Sequence, residues 1–152
     1  MTTTERILDK VNGPADVKQL TIEEMTLLAD EMRQMILQKD SAVGGHVGPN
    51  LGVTELTIAF HYVFDSPKDK IVWDVSHQSY GHKLLTGRKN GFEEGHYHEV
   101  TGYSNQHESE HDYFTVGHTS TSISLAVGLA KARDLKHETG NVMAFIGDGS
   151  MS

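Results

Sequence analysis

The sequence predicts an α/β fold, a parallel sheet flanked by helices, and three observations carry that prediction. Two short runs, Ile71-Val72-Trp73-Asp74-Val75 and Val142-Met143-Ala144-Phe145-Ile146, have the length and the β-branched or aromatic content of buried strands. Between them Ile123, Ala126, Val127, Ala130 and Leu135 recur at helical spacing. A strand, a crossover helix and a second strand make a right-handed parallel unit, whose sheet needs helices on its faces.

Composition narrows the class. The 152 residues fit one domain, divided here into an N-terminal segment (1–20) and a main body (21–152). A net charge of −8 and an isoelectric point near 5.6 argue against nucleic-acid and anionic-membrane partners, both of which select a basic face. With no cysteine there are no disulfides or thiolate metal sites. Met1-Thr2-Thr3-Thr4-Glu5-Arg6 lacks the order of an export signal, and no apolar stretch approaches the ~18 residues of a membrane span, so a cytoplasmic location is expected.

The elements follow in order. Thr21 and Glu24 have capping-box spacing and Leu20 can staple onto Met25, which predicts a helix from Ile22 to about Gln38 with Met25, Leu28, Met32, Met35 and Ile36 as its core stripe. The stretch Gly44-Gly45-His46-Val47-Gly48-Pro49-Asn50-Leu51-Gly52 is too rich in glycine and proline for a regular element. Thr54 to Phe64 reads as a helix stopped before Pro67. After the first strand, Ser76-His77-Gln78-Ser79-Tyr80-Gly81-His82 turns into a short helix. Residues 87–114 are polar and aperiodic, a length that implies function or packing against something else. Candidate N-caps at Gly117-His118-Thr119-Ser120-Thr121-Ser122 open the crossover helix, and Gly140 releases the chain into the second strand.

Three glycine-bordered polar loops carry the candidate chemistry. In Gly147-Asp148-Gly149-Ser150 the glycines let backbone amides approach a phosphate, and Asp148 offers a hard oxygen for Mg²⁺ at a strand's carboxyl end; an ordinary turn capped by Asp148 is the alternative. Gly117-His118-Thr119-Ser120-Thr121 can present free helix N-terminal amides to an anion, or simply cap the helix. His46 and His77 each put an imidazole beside flexible backbone, where it can move a proton or remain solvated. His96, His98, His107 and His111 suggest zinc by spacing, but Gly102, Tyr103, Ser104 and Asn105 interrupt any helix, and a solvated segment is the better reading. There is no cysteine nucleophile and no Gly-x-Ser-x-Gly elbow.

Taken together these segments resemble a known family. Gly44-Gly45-His46, Leu51-Gly52-Val53-Thr54-Glu55-Leu56-Thr57, Trp73 through Lys83, Leu85-Thr86-Gly87-Arg88, Gly117 through Ser124 and Gly147-Asp148-Gly149 look like the amino-terminal part of the 1-deoxy-D-xylulose-5-phosphate synthases, of the thiamine-diphosphate-dependent transketolase superfamily. The likeness is collinear over about residues 20–152.

The resemblance implies an incomplete thiamine-diphosphate-binding, transketolase-like domain cut after Gly-Asp-Gly. It implies condensation of pyruvate with D-glyceraldehyde 3-phosphate, with loss of CO₂, at the entry to the non-mevalonate isoprenoid route, in a homodimer. By position, Asp148 would ligate Mg²⁺, Gly149 and Ser150 would contact the diphosphate, and Gly117, His118 and Thr119 would line the cofactor. His77 would sit by the cofactor and His46 near the reacting carbonyl, as the catalytic candidates. Two positions depart from the family: Gly48-Pro49-Asn50 replaces a small hydroxylated residue after Gly-Gly-His, and Ser76 stands where glycine is common. The family's second metal ligand and its activating glutamate lie beyond Ser152, so these 152 residues alone are expected to be inactive. A transketolase-like paralogue, a split-transketolase subunit and a non-catalytic module of the same fold are the alternatives.

Overall fold

The computed structural model describes residues 6–151; the first five residues of the N-terminal segment and Ser152 lie outside the described residues. The chain folds as two compact units, Met1–Phe64 with Tyr80–Val100, and Asp65–Ser79 with Thr101–Ser152.

The first unit is helical: α1 (Ile7–Lys10), α2 (Pro14–Val17), α3 (Ile22–Val43), α4 (Val47–Gly52), α5 (Thr54–Val63) and α6 (Tyr80–Leu85), followed by two 3₁₀ turns at Lys89–Phe92 and Tyr97–Glu99. The capping box at the head of α3 is present: Thr21 Oγ1 accepts from Glu24 N at 3.2 Å and the Glu24 carboxylate accepts from Thr21 N at 2.9 Å. The helix runs past Gln38 to Val43 and ends where Gly44 adopts φ +79°. Leu28, Met32, Met35 and Ile36 of its stripe are buried with Leu8, Val11, Val17, Ile58, Leu84, Leu85 and Phe92.

Two expectations change in this unit. The glycine-rich stretch is not wholly irregular, because Val47–Gly52 winds into α4, with Asn50 Nδ2 donating to the His46 carbonyl at 2.7 Å and Asn50 Oδ1 accepting from Tyr80 N at 2.9 Å. Asn50 supplies locally what the sequence lacks in helix propensity. The aperiodic stretch from residue 87 is packed as far as Val100 rather than loose. Buried Lys39 donates to the carbonyls of Gly91 (3.2 Å) and Tyr97 (2.5 Å) and sits 5.2–5.9 Å from the ring centres of Tyr80, Phe92 and Tyr97. Carbonyl dipoles and ring faces replace water around the ammonium, which lets a buried cation organise two turns that have no periodicity of their own.

The second unit holds the parallel pair. β1 (Lys70–Trp73) pairs with β2 (Val142–Phe145) in the register Lys70↔Val142 through Trp73↔Phe145, and the crossover helix α7 (Ser122–Leu135) packs on both strands. A 3₁₀ turn, Asp148–Ser150, follows β2. Trp73, buried, sets its ring 4.4 Å from that of Phe145. The pair shows the parallel α/β arrangement the sequence predicts, though β1 is shorter than the apolar run. It stops at Trp73 because Val75 and Ser76 both take positive φ (+56° and +69°).

Candidate active site

At the carboxyl edge of β1 and β2, the strand ends and the head of α7 meet in the second unit, the edge at which open α/β sheets bind ligands. The centre of this edge is Asp74. Its amide still donates to the Phe145 carbonyl at 2.8 Å, while its side chain, 1% exposed, accepts from the amides of Ser120 (3.1 Å), Thr121 (3.1 Å) and Ser122 (3.2 Å). Burial alone would raise this carboxyl, but the Ser122 and Ser120 amides outweigh it and hold it below the usual carboxylate range. The positive end of the α7 dipole adds to the same preference for the charged form.

Of the two readings of the loop before α7, capping holds for its last part: the amides of Ser120, Thr121 and Ser122 are taken by the protein's own carboxylate. Among the described residues the amides of Gly117, His118 and Thr119, just ahead of them, have no partner, and neither do those of Val116, Ile123 and Ser124. Gly117 and the side chains of His118 and Thr119 are exposed, and nothing lies within 4 Å of where a Cβ on Gly117 would project.

Asp148 follows β2 and is exposed, with Oδ1 accepting from Gly149 N at 2.9 Å. Gly147 and Gly149 face open space. Ser120 Oγ donates to the Ser150 carbonyl at 2.9 Å, which ties the loop before α7 to the loop after β2. His77 is half-buried on the turn after β1, beside Gln78, whose Nε2 donates to the Asp74 carbonyl at 3.0 Å. The structure thus brings His77, Gly117, His118, Thr119, Asp148, Gly149 and Ser150 to one edge of one unit.

His46 belongs to the other unit, exposed at the head of α4. Beneath its loop lies Asp40, 7% exposed, with neither carboxylate oxygen hydrogen-bonded, and a Cβ on Gly45 would run into it. Burial pushes the Asp40 carboxyl up, against the opposing pull of Lys39 and His46. Of the other histidines, His61 and His82 stack in the same unit, with Nε2 of one 2.9 Å from Nδ1 of the other. His96 Nδ1 lies 2.5 Å from Glu99, and His111 Nδ1 lies 2.8 Å from Ser66 Oγ. Among the described residues no three His, Cys, Asp or Glu side chains gather to hold a metal.

The donor set at the carboxyl edge nonetheless suits a diphosphate bridged by a hard cation: one exposed carboxylate, three adjacent amides without protein partners, and glycines with open space above them. Sequence reasoning missed Asp74, Ser76 and Asp40 as working residues. An aspartate directly at the end of a strand was the visible signal for Asp74; the partners of the other two are remote in sequence.

The comparisons with known proteins give the family. Residues 8–152 match the family model described as 1-deoxy-D-xylulose-5-phosphate synthase. The chain belongs to the 1-deoxy-D-xylulose-5-phosphate synthase family. It is 55% identical over 148 residues to the 1-deoxy-D-xylulose-5-phosphate synthase of Heliobacterium modesticaldum, covering 97% of this chain and 23% of that protein. It is 56% identical over 147 residues to that of Desulfitobacterium hafniense (96% and 23%), and 54% identical over 152 residues to 1-deoxy-D-xylulose-5-phosphate synthase 2 of Geobacter sulfurreducens (97% and 24%). The chain therefore spans about a quarter of the length of these synthase-family relatives, corresponding to their amino-terminal part. No helix among the described residues is long and apolar enough to cross a membrane.

Proposed function

We propose that this chain is the cofactor-anchoring amino-terminal part of a thiamine-diphosphate- and Mg²⁺-dependent synthase that condenses pyruvate with D-glyceraldehyde 3-phosphate, releasing CO₂, as a cytoplasmic homodimer. The observation that carries the reading is the meeting of Asp148, the open amides of Gly117 to Thr119 and His77 at one sheet edge, in a chain of this family. Residues 21–152 act in it as the first part of the diphosphate-binding domain.

Thiamine diphosphate supplies a nucleophilic carbon and an electron sink for decarboxylation when bound. The chain's own residues bind and orient. Asp148 would offer Mg²⁺ a hard carboxylate oxygen, and the ion would neutralise charge on the diphosphate. Gly149 and Ser150 on one loop, and Gly117, His118 and Thr119 on the other, offer polar backbone without a Cβ in the way at the glycines. His77, half-buried, is suited to hold or pass a proton beside the cofactor, and exposed His46 to do so at the reacting carbonyl, through imidazole nitrogens that can both donate and accept.

The test is a synthase assay on the complete reading frame with Asp148→Asn and His46→Ala. Each variant is expected to lose at least about a hundredfold in kcat/KM, the scale of a removed metal contact or proton-transfer group. Activity unchanged in both would overturn the reading.

A further inference from the structure

Three consecutive residues after β1 each grip a different part of the segment that leads into α7. The Asp74 carboxylate takes the amides of Ser120, Thr121 and Ser122. The Val75 amide donates to the His118 carbonyl at 3.3 Å, and Ser76 Oγ donates to the Val116 carbonyl at 2.8 Å while accepting from Ser104 N at 2.9 Å. The two segments run antiparallel, so that 74, 75 and 76 meet 120–122, 118 and 116 in turn. Every backbone group used in this track comes from the carbonyls of 116 and 118 or from the amides of 120–122. The amides of 117, 118 and 119, like that of 116, take no part in it and have no partner among the described residues.

Holding this geometry is costly. Val75, Ser76 and Ser120 are non-glycine residues at φ +56°, +69° and +63°, each strained by about 1–2 kcal/mol, and a strained cluster persists only where surrounding contacts over-determine it. Asp74 supplies the strongest of those contacts, three amide bonds to one buried charge.

We infer that Asp74 is a positioning residue for the proposed cofactor site: by holding the amides of Ser120, Thr121 and Ser122, its carboxylate fixes where the open amides of Gly117, His118 and Thr119 stand for an incoming diphosphate. This rests on the cofactor reading above.

The experiment uses the complete reading frame and titrates thiamine diphosphate with Mg²⁺ by calorimetry, with melting temperature measured alongside. Asp69 provides the control. It is a second buried carboxylate, at the opposite edge of the same strands, accepting from Asn141 N (2.6 Å), Asn141 Nδ2 (2.9 Å) and Asp65 N (2.7 Å). Asp69→Asn is expected to lower the melting temperature and leave affinity within twofold; Asp74→Asn is expected to lower both, with affinity falling about tenfold or more, the scale seen when outer-shell partners of a bound group are removed. Equal affinities for parent and Asp74→Asn, or equal losses in the two variants, overturn the positioning role. A parent that binds no cofactor overturns the cofactor reading and this inference with it. Should Asp74→Asn fail to fold, Asp74→Ala is melted with and without sulfate. The vacated helix head should take the anion, so sulfate must raise its melting temperature more than the parent's; an equal shift overturns the inference.

Discussion

The two edges of the β1–β2 pair use one device for different ends. At the amino edge Asp69 accepts the Asn141 amide and side chain, and at the carboxyl edge Asp74 accepts the three amides at the head of α7. Both carboxyls are driven up by burial and pulled further down by donated amides. What differs is the surrounding space. At the amino edge Gly140, at φ +111°, backs onto the Lys68 carbonyl, so that a Cβ there would lie 2.5 Å from the oxygen. At the carboxyl edge a Cβ on Gly147, Gly149 or Gly117 would meet nothing within 4 Å, while the strain falls on Val75, Ser76 and Ser120. The closed edge joins strands; the open edge is shaped around room that the protein itself does not fill.

Glycine substitutions should separate the edges most sharply. Gly140→Ala combines left-handed strain with a backbone clash and should cost about 3 kcal/mol in denaturant unfolding. Gly147→Ala, at φ −75° in open space, should stay within about 0.5 kcal/mol. Equal losses would erase the distinction between the edges.

Ser76 tests the strained side. Ser76→Ala removes both hydrogen bonds and keeps the positive φ, so it should cost about 2 kcal/mol. Ser76→Gly loses the same bonds but relieves the backbone, and should cost about 1 kcal/mol. A glycine variant less stable than the alanine variant in the same melts would show that φ +69° carries no strain here.

Acid unfolding probes what the edges share. With folded values below the ordinary aspartate value near 3.8, Asp69 and Asp74 contribute stability that is present above that pH and lost as the pH falls below it. Asp69→Asn and Asp74→Asn should each flatten stability against pH below about pH 4, and slopes as steep as the parent's would count against both assignments. The smallest effect, of opposite sign, is expected at Asp40. Its raised carboxyl makes the folded state bind the proton more tightly, so the charged form weakens folding as pH rises past the ordinary value. Asp40→Asn should therefore stabilise at pH 7 by about 1 kcal/mol, with the gain vanishing in acid.

Much of the fold was legible because it rests on local rules. The α3 cap, the two strands and the crossover helix follow from side-chain spacing that any short window contains. The α4 turn was not, because Asn50 holds it through Tyr80, thirty residues away. The packing of residues 87–100 was hidden in the same way, since its organiser, Lys39, lies on α3. At the candidate site, Asp148, and His118 with Thr119, were visible as polar residues beside glycine. Asp74 stood in plain view next to Trp73, but its three partners lie 46–48 residues on.

By itself the sequence determined the family, the parallel strand pair and the residue types that line its carboxyl edge, because apolar periodicity and glycine-bordered motifs are properties of short segments. Only the tertiary structure decided which amides remain to be offered. A buried carboxylate goes to the nearest unsatisfied donors in space, and here Asp74 claims the head of α7 and leaves Gly117, His118 and Thr119 open.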